Sequence, residues 1–378
     1  MARQKRGRGE GSVYFRPDRK VWAATVSLGY ADTGRRRRRT VYAPSKAGVL
    51  EKLARLQVDA ASGTLGEPTR LTVAQFLGHW LETGARPAVR EATFVLYEMI
   101  IRRHINPHVG GVTLAKLTPA HVQGLLTDTE KAGASPKLRL IVYQVLSGAL
   151  KQAVLWGMVP RNVCTAVVRP RVPQKPMQVL DGEQARRFLA AAEADQHCAL
   201  FVLLVSVGLR VGEALGVTWG DLDLKAGTLQ IRQQLCEVRG RLWLAEPKTA
   251  AARRKIDLPQ VTLQALRDHR QRALATGTYG NPMGLVFTDT EAHPVRKSNL
   301  RRRSFEPLLR KAGLPRIRLH DLRHTAASLH LAQGTHPRVV QEMLGHSNIG
   351  ITLATYSHVL PSIQREAAVR MDALLANV

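Results

Sequence analysis

Acidic residues are scarce in this chain. Only 29 Asp and Glu stand against 56 Lys and Arg, which leaves a net charge of +27 and a pI near 11.0. No dense set of carboxylates occurs in the C-terminal half, which argues against nucleases and transposases that hold two cations between acids. Cysteine is scarcer still: Cys164, Cys198 and Cys236 are far apart and odd in number. They suggest neither a zinc cluster nor a disulfide framework, so a reducing cytoplasm is expected, with no metal and no cofactor. Long apolar runs are missing as well. The longest, Cys198 to Leu209, is broken by Ser206 and Gly208 and falls short of the ~20 residues needed to cross a bilayer. The basic N-terminus has no apolar segment behind it, so it does not read as a secretory signal. Phosphate-cradling loops are lacking too: there is no Walker A pattern, and Gly7, Gly9 and Gly11 have the wrong spacing and context for a dinucleotide fingerprint.

What is present is positive charge on a chain of 378 residues, 44% of them hydrophobic, enough for two or three domains with cores. A polyanionic partner is the simplest reason for such a surface, because basic side chains bind phosphates by releasing counterions. Residues 1–66 alternate as strands through Val21–Leu28 and Thr40–Tyr42, with Arg35, Arg36, Arg37, Arg38 and Arg39 read as a turn into the second strand. Ser45 then caps a helix carrying Val49, Leu50, Leu53 and Leu56. Residues 67–167 read as a helical block: a segment through Trp80, another from Glu91 ended by Asn106-Pro107, a third opened by Thr118-Pro119, and a fourth over 135–156. Pro170, Pro173 and Pro176 stiffen a linker at 168–178. Residues 179–378 mix helices with strands at Thr228–Arg232, Leu242–Glu246 and Lys255–Leu258. The expected fold class is multidomain and mainly α with small sheets: α+β, then helical, then mixed α+β.

The last block concentrates reactive side chains. Gly208-Leu209-Arg210-Val211-Gly212-Glu213 places a guanidinium after a buried run, and Glu246-Pro247-Lys248-Thr249 offers a lysine before an expected hairpin turn over Thr249 to Arg254. His320-Asp321-Leu322-Arg323-His324 sets an imidazole and a guanidinium at i, i+3 on one helix face. Leu344-Gly345-His346 puts an imidazole after a helix-ending glycine, and Tyr356 follows. Arginine forks grip nonbridging phosphate oxygens and hold their charge at any working pH. Imidazoles donate or shuttle protons near neutrality. A phenol of pKa about 10 is a nucleophile only when activated.

In this order and spacing the residues resemble the tyrosine recombinases of the phage integrase family. The resemblance implies that Tyr356 attacks DNA, that Arg210, Arg323 and His346 hold the phosphate, that His320 hydrogen-bonds the phosphate or assists proton transfer, and that Lys248 is the general acid. Glu213 would steady Arg210. The first block resembles the arm-site domain of lambda-type integrases, with Arg35 to Arg39 on the DNA, and the second resembles the core-binding domain. Double-stranded attachment sites, a homotetramer in synapsis and accessory bending or directionality proteins follow by the same resemblance, as does docking of Pro361–Val378 on its own domain or on a neighbour. His320-Asp321-x-x-His324 also approximates a zinc-protease signature, but Asp321 replaces the required glutamate and Arg323 would repel the cation; His324 is then a packing or supporting residue. A non-catalytic DNA-binding regulator would explain the charge but not the residue order, and a type IB topoisomerase shares the chemistry.

Overall fold

Alternating side chains at Val21–Ser27 set the N-terminal sheet. The computed structural model describes residues 12–30, 36–61, 70–173, 177–247, 252–356, 368–369 and 371–376, and it divides into two units, Met1–Gln174 and Lys175–Val378. Strands β1 (Ser12–Arg16), β2 (Val21–Tyr30) and β3 (Arg36–Ala43) run antiparallel in that order. One face, with Val13, Trp22, Ala24, Val26, Val41 and Ala43, packs on Val49 and Leu53 of α1 (Lys46–Ala61). Ser45 starts that helix, its Oγ accepting from the Gly48 amide at 3.1 Å. The opposite face is polar. Tyr14 and Tyr42 flank Ala23 in register, and the Thr25 and Thr40 hydroxyls meet at 2.9 Å. The arginine run differs from expectation. Arg36 to Arg39 belong to β3 rather than to a turn, because pairing with Val26–Tyr30 continues the ladder. Arg35 and the side chains of Arg36 and Arg37 lie outside the described residues.

The helical block packs α2 (Val73–Trp80), α3 (Glu91–Ile100), α4 (Asn106–Val109), α5 (Pro119–Lys131) and α6 (Pro136–Leu155) around one core that includes Phe76, Phe94, Ile105, Leu125 and Leu146. Local capping chemistry fixes their starts: Thr72, Thr118 and Ser135 each accept a backbone N–H two or three residues into the helix. Helix α6 is long and apolar enough to cross a membrane, yet its Val142–Ala153 stripe lies in this core. Asn106-Pro107 does not end α3. The chain widens instead over Ile101–Ile105, the Asn106 amide reaches back five residues to Ile101, and the helix resumes through Val109. A proline ring collides with the carbonyl four residues earlier; the wider turn moves that carbonyl aside. The same device precedes Pro87, where Arg86 bonds to Leu81, and Pro307, where Glu306 bonds to Arg301.

In the second unit, α8 (Cys198–Val207) is buried on nearly every side, against α7 (Gly182–Ala192), α9 (Val211–Leu215), α10 (Gln260–Ala275) and α13 (Asp321–Ala332). Strands β4 (Leu222–Asp223), β5 (Thr228–Ile231) and β8 (Arg254–Asp257) form one sheet in the order β4-β5-β8. Strands β6 (Gln234–Val238) and β7 (Arg241–Ala245) form a separate ribbon. The expected hairpin between the strands at 242–246 and 255–258 is therefore corrected. β7 pairs with β6, and β8 pairs with β5, because the turn at Arg239-Gly240 closes a tight local ribbon while Ile256 and Leu229 share the core. Short helices α11 (Lys297–Asn299) and α12 (Glu306–Lys311) lead to α13, followed by α14 (Pro337–Leu344) and α15 (Ile349–Tyr356). Of the C-terminal tail, Val369, Met371, Leu374 and Leu375 are exposed.

Candidate active site

Two glycines shape the site. Gly208 ends α8 at φ +72 and Gly345 ends α14 at φ +66, both left-handed positions that side chains with a Cβ resist. A Cβ on Gly208 would lie 2.8 Å from Leu344 Cδ2, so the ends of α8 and α14 approach closely. Arg210 leaves the first turn and reaches the second. Its Nη1 donates to Glu213 Oε1 at 2.6 Å and its Nη2 to the Gly345 carbonyl at 3.3 Å. The Arg210 side chain stays 39% exposed, whereas that of Glu213 is 2% exposed.

Glu213 also grips Arg254 of β8, Nη2 to Oε2 at 3.0 Å. Burial alone would raise the Glu213 pKa, but Arg254 and then Arg210 outweigh it and hold the carboxyl below its ordinary value. Arg254, 8% exposed, also donates to the carbonyls of Met343 and Ala252. It therefore ties β8 to the turn that carries His346. Nothing in the sequence marks this role, since one arginine among so many stands out only through its neighbours in space.

Arg323 is buried on α13. Its Nη1 donates to Gly208 O at 2.8 Å and its Nη2 to Leu344 O at 2.7 Å. Burial and the nearby Arg210 push its pKa down to about 9, so it keeps its charge at neutral pH. Arg210 and Arg323 thus anchor to carbonyls at the end of α14, immediately beside His346. Burial, followed by Arg323 and Arg210, lowers the His346 pKa to about 4. His320, at the start of α13, falls to about 4 through burial, then His324, Arg323 and Lys297. Both imidazoles are neutral at pH 7 in this state. An arriving phosphate anion would draw them toward protonation.

Tyr356 is fully buried at the end of α15, among Ala327, Leu331, Val340 and Leu344. Its hydroxyl meets His324 Nδ1 at 2.8 Å. Burial raises its pKa to about 12, against a smaller opposing pull from Arg323. His324, expected only to support or pack, is thus the phenol's hydrogen-bond partner. The His320 and His324 rings stand edge to face at 5.1 Å. Among the described residues no group of His, Cys, Asp and Glu is placed to hold a metal ion.

Lys248 lies outside the described residues, while Lys255 is exposed on β8 opposite Gln230. A cleft of about 670 Å³ beside His346 is lined by Arg253, Arg254, Lys255, Arg338 and Ser347. The structure therefore brings Arg210, Glu213, Arg323, His320, His346 and Tyr356 into one region of the second unit. Arg38 and Arg39 are in the first unit, exposed on β3.

Residues 178–362 match the model of the phage integrase family, and residues 72–128 match the phage integrase N-terminal SAM-like domain. A tyrosine recombinase XerC-like protein of Caldanaerobacter subterraneus is 26% identical over 384 residues, covering 96% of this chain and 98% of its own. The ICEBs1 integrase of Bacillus subtilis is 25% identical over 283 residues, covering 73% and 76%. The Tn1549 transposon integrase in complex with a circular intermediate DNA shares the fold at TM-score 0.67 and 23% identity, over 80% of this chain and 99% of that one. A lambda integrase dimer bound to a core site does so at TM-score 0.59 and 16% identity, over 94% and 96%.

Proposed function

Because the chain belongs to the phage integrase family of tyrosine recombinases, we propose that it integrates or excises a mobile element by breaking and rejoining DNA through Tyr356. The observation that carries the residue assignment is the anchoring of Arg210 and Arg323 on one turn with His346. Two fixed guanidiniums beside two imidazoles suit a phosphodiester whose charge grows in the transition state. Tyr356 attacks phosphorus, forms a 3′-phosphotyrosyl link and releases a 5′-hydroxyl, which Lys248 protonates. The hydroxyl of a partner duplex reverses the step, and the ester conserves the energy of the broken bond. The guanidiniums supply the positive charge that a metal would otherwise bring, so neither metal nor nucleotide cofactor is required.

The division into residues 1–66, 67–167 and 179–378, joined by a linker at 168–178, assigns an arm-binding sheet, a core-binding bundle and the catalytic unit. The outer face of the sheet, with Tyr14, Arg16, Thr25, Arg38, Thr40 and Tyr42, carries hydroxyls and guanidiniums suited to base edges and phosphates. Synapsis calls for four protomers on two duplexes, with accessory bending proteins where arm sites are used. A nicked suicide duplex bearing the core site tests the central assignment. Wild-type protein should be trapped covalently through Tyr356, and Tyr356→Phe should bind equally and trap nothing; an adduct at another residue refutes it.

A further inference from the structure

We propose that His324 is the base that takes the phenol proton when Tyr356 attacks. The inference rests on Tyr356 being the nucleophile and adds a residue to that reaction. Three observations carry it. The Tyr356 hydroxyl has His324 Nδ1 at 2.8 Å, a hydrogen-bond distance. The phenol is enclosed by Ala327, Leu331, Val340 and Leu344, which leaves no bulk water at that oxygen to accept a proton. His324 sits one residue beyond Arg323 on α13, so one helix fixes both the phosphate clamp and the acceptor.

The chemistry is self-consistent. A phenol held near pKa 12 by burial does not ionise at neutral pH and must lose its proton during attack. Burial, helped by Arg323 and Arg318 and opposed by Asp321, lowers the His324 pKa, so its ring is neutral and Nδ1 is free to accept when Nε2 carries the hydrogen. The charged and titratable groups facing it are Asp321, Arg323 and Arg318 around the start of α13, His320 on the preceding turn, His346 after α14, and Tyr356 on α15. As the Tyr356 Oη–P bond forms and the P–O5′ bond breaks, the phenol proton passes to Nδ1. O5′ leaves with a proton from its own donor, assigned above to Lys248. In the return step a 5′-hydroxyl attacks the phosphotyrosine and gives its proton to the now neutral Lys248, while the Tyr356 Oη–P bond breaks and the imidazolium returns its proton to the phenol. The positive charges around His324 keep the imidazolium short-lived, which favours the return.

The test uses the full chain and the suicide duplex. Trapping of wild-type protein through Tyr356 comes first; if that fails, the nucleophile assignment itself is wrong. His324→Asn keeps an oxygen near the Nδ1 position but cannot accept a proton. It should bind core DNA as wild type does and cleave about 10²–10⁴-fold more slowly, the usual contribution of a general base. Replacing Tyr356 by 3,5-difluorotyrosine, whose phenol is far more acidic, should restore most of the rate to His324→Asn while changing the wild type little. Cleavage at the wild-type rate, or a loss that fluorination does not repair, overturns the proposal. Should the variant fold poorly, ¹⁵N-histidine NMR of the wild type decides. Nδ1 of His324 must be unprotonated at neutral pH and must shift in Tyr356→Phe; a protonated Nδ1 excludes it as the base.

Discussion

Replacing Glu213 tests the electrostatic frame of the site more severely than replacing any arginine. Its carboxylate is 2% exposed and serves two guanidiniums, Arg210 at 2.6 Å and Arg254 at 3.0 Å, as well as the Arg210 amide at 3.1 Å. Glu213→Gln keeps the volume but removes the charge and turns an NH2 toward one of the arginines. With the NH2 toward Arg254, that guanidinium would remain buried with the Met343 and Ala252 carbonyls as its acceptors; with the NH2 toward Arg210, it would keep a neutral amide oxygen in place of a carboxylate. Breaking a buried pair from one side costs about 3–5 kcal/mol. At about 2–4 °C per kcal/mol for a unit of this size, the midpoint of the catalytic unit should fall by roughly 6–20 °C. Thermal unfolding of the full chain measures the effect. Glu213→Gln combined with Arg254→Met should be less destabilised than the sum of the two single changes, since no unpaired charge is left inside. A Glu213→Gln midpoint within about a degree of wild type, or strict additivity in the double variant, would refute the claim that this carboxylate organises the site.

Three further outcomes are expected. The folded-state pKa values of His320 and His346, about 4 against an ordinary 6.5, contribute stability that is complete above the ordinary value and lost as pH falls from there toward 4; the thermal midpoint should drop across that window, and His320→Gln should flatten the drop. If Lys248 is the acid, a bridging 5′-phosphorothiolate, whose thiolate leaves without a proton, should rescue Lys248→Ala but rescue Arg210→Ala poorly; rescue of Lys255→Ala instead would move the assignment. Tyr14→Ala, Arg38→Ala and Tyr42→Ala change exposed side chains of the N-terminal sheet; each should weaken footprints on a separate arm site while leaving core-site cleavage intact, and unchanged footprints would remove the arm-binding role.

What could be read from the chain was what depends on near neighbours. Ser45, Thr118-Pro119 and Ser135 mark helix starts because capping is settled within four residues. Gly345 placed His346 on a turn for the same reason. The residue order from Arg210 to Tyr356 pointed to one site because each member has its own chemistry. Pairings over long separations were not legible. β5 joins β8 across the β6–β7 ribbon, and no local signal chooses between that arrangement and the expected hairpin. The linking role of Arg254 and the bond between His324 and Tyr356 depend on elements distant in sequence meeting, as does the burial that shifts the His324 and Tyr356 pKa values.

The widened turns before Pro87, Pro107 and Pro307 bear on how this fold tolerates change over evolutionary time. Those before Pro107 and Pro307 each amount to one residue inserted into a helix that continues beyond, with the proline as its lock, whereas the one before Pro87 closes its helix. An ancestor could gain the insertion or the proline singly only at a loss, because an extra residue shifts the apolar stripe and a proline without room collides with its own helix. Once joined, the pair is hard to undo by single steps. Deleting one residue from Ile101–Ile105 while keeping Pro107 should harm the helical block more than deleting it together with Pro107→Ala. Relatives are then expected to keep or lose the wide turn and its proline as a unit, and length differences within these helices should track the presence of proline.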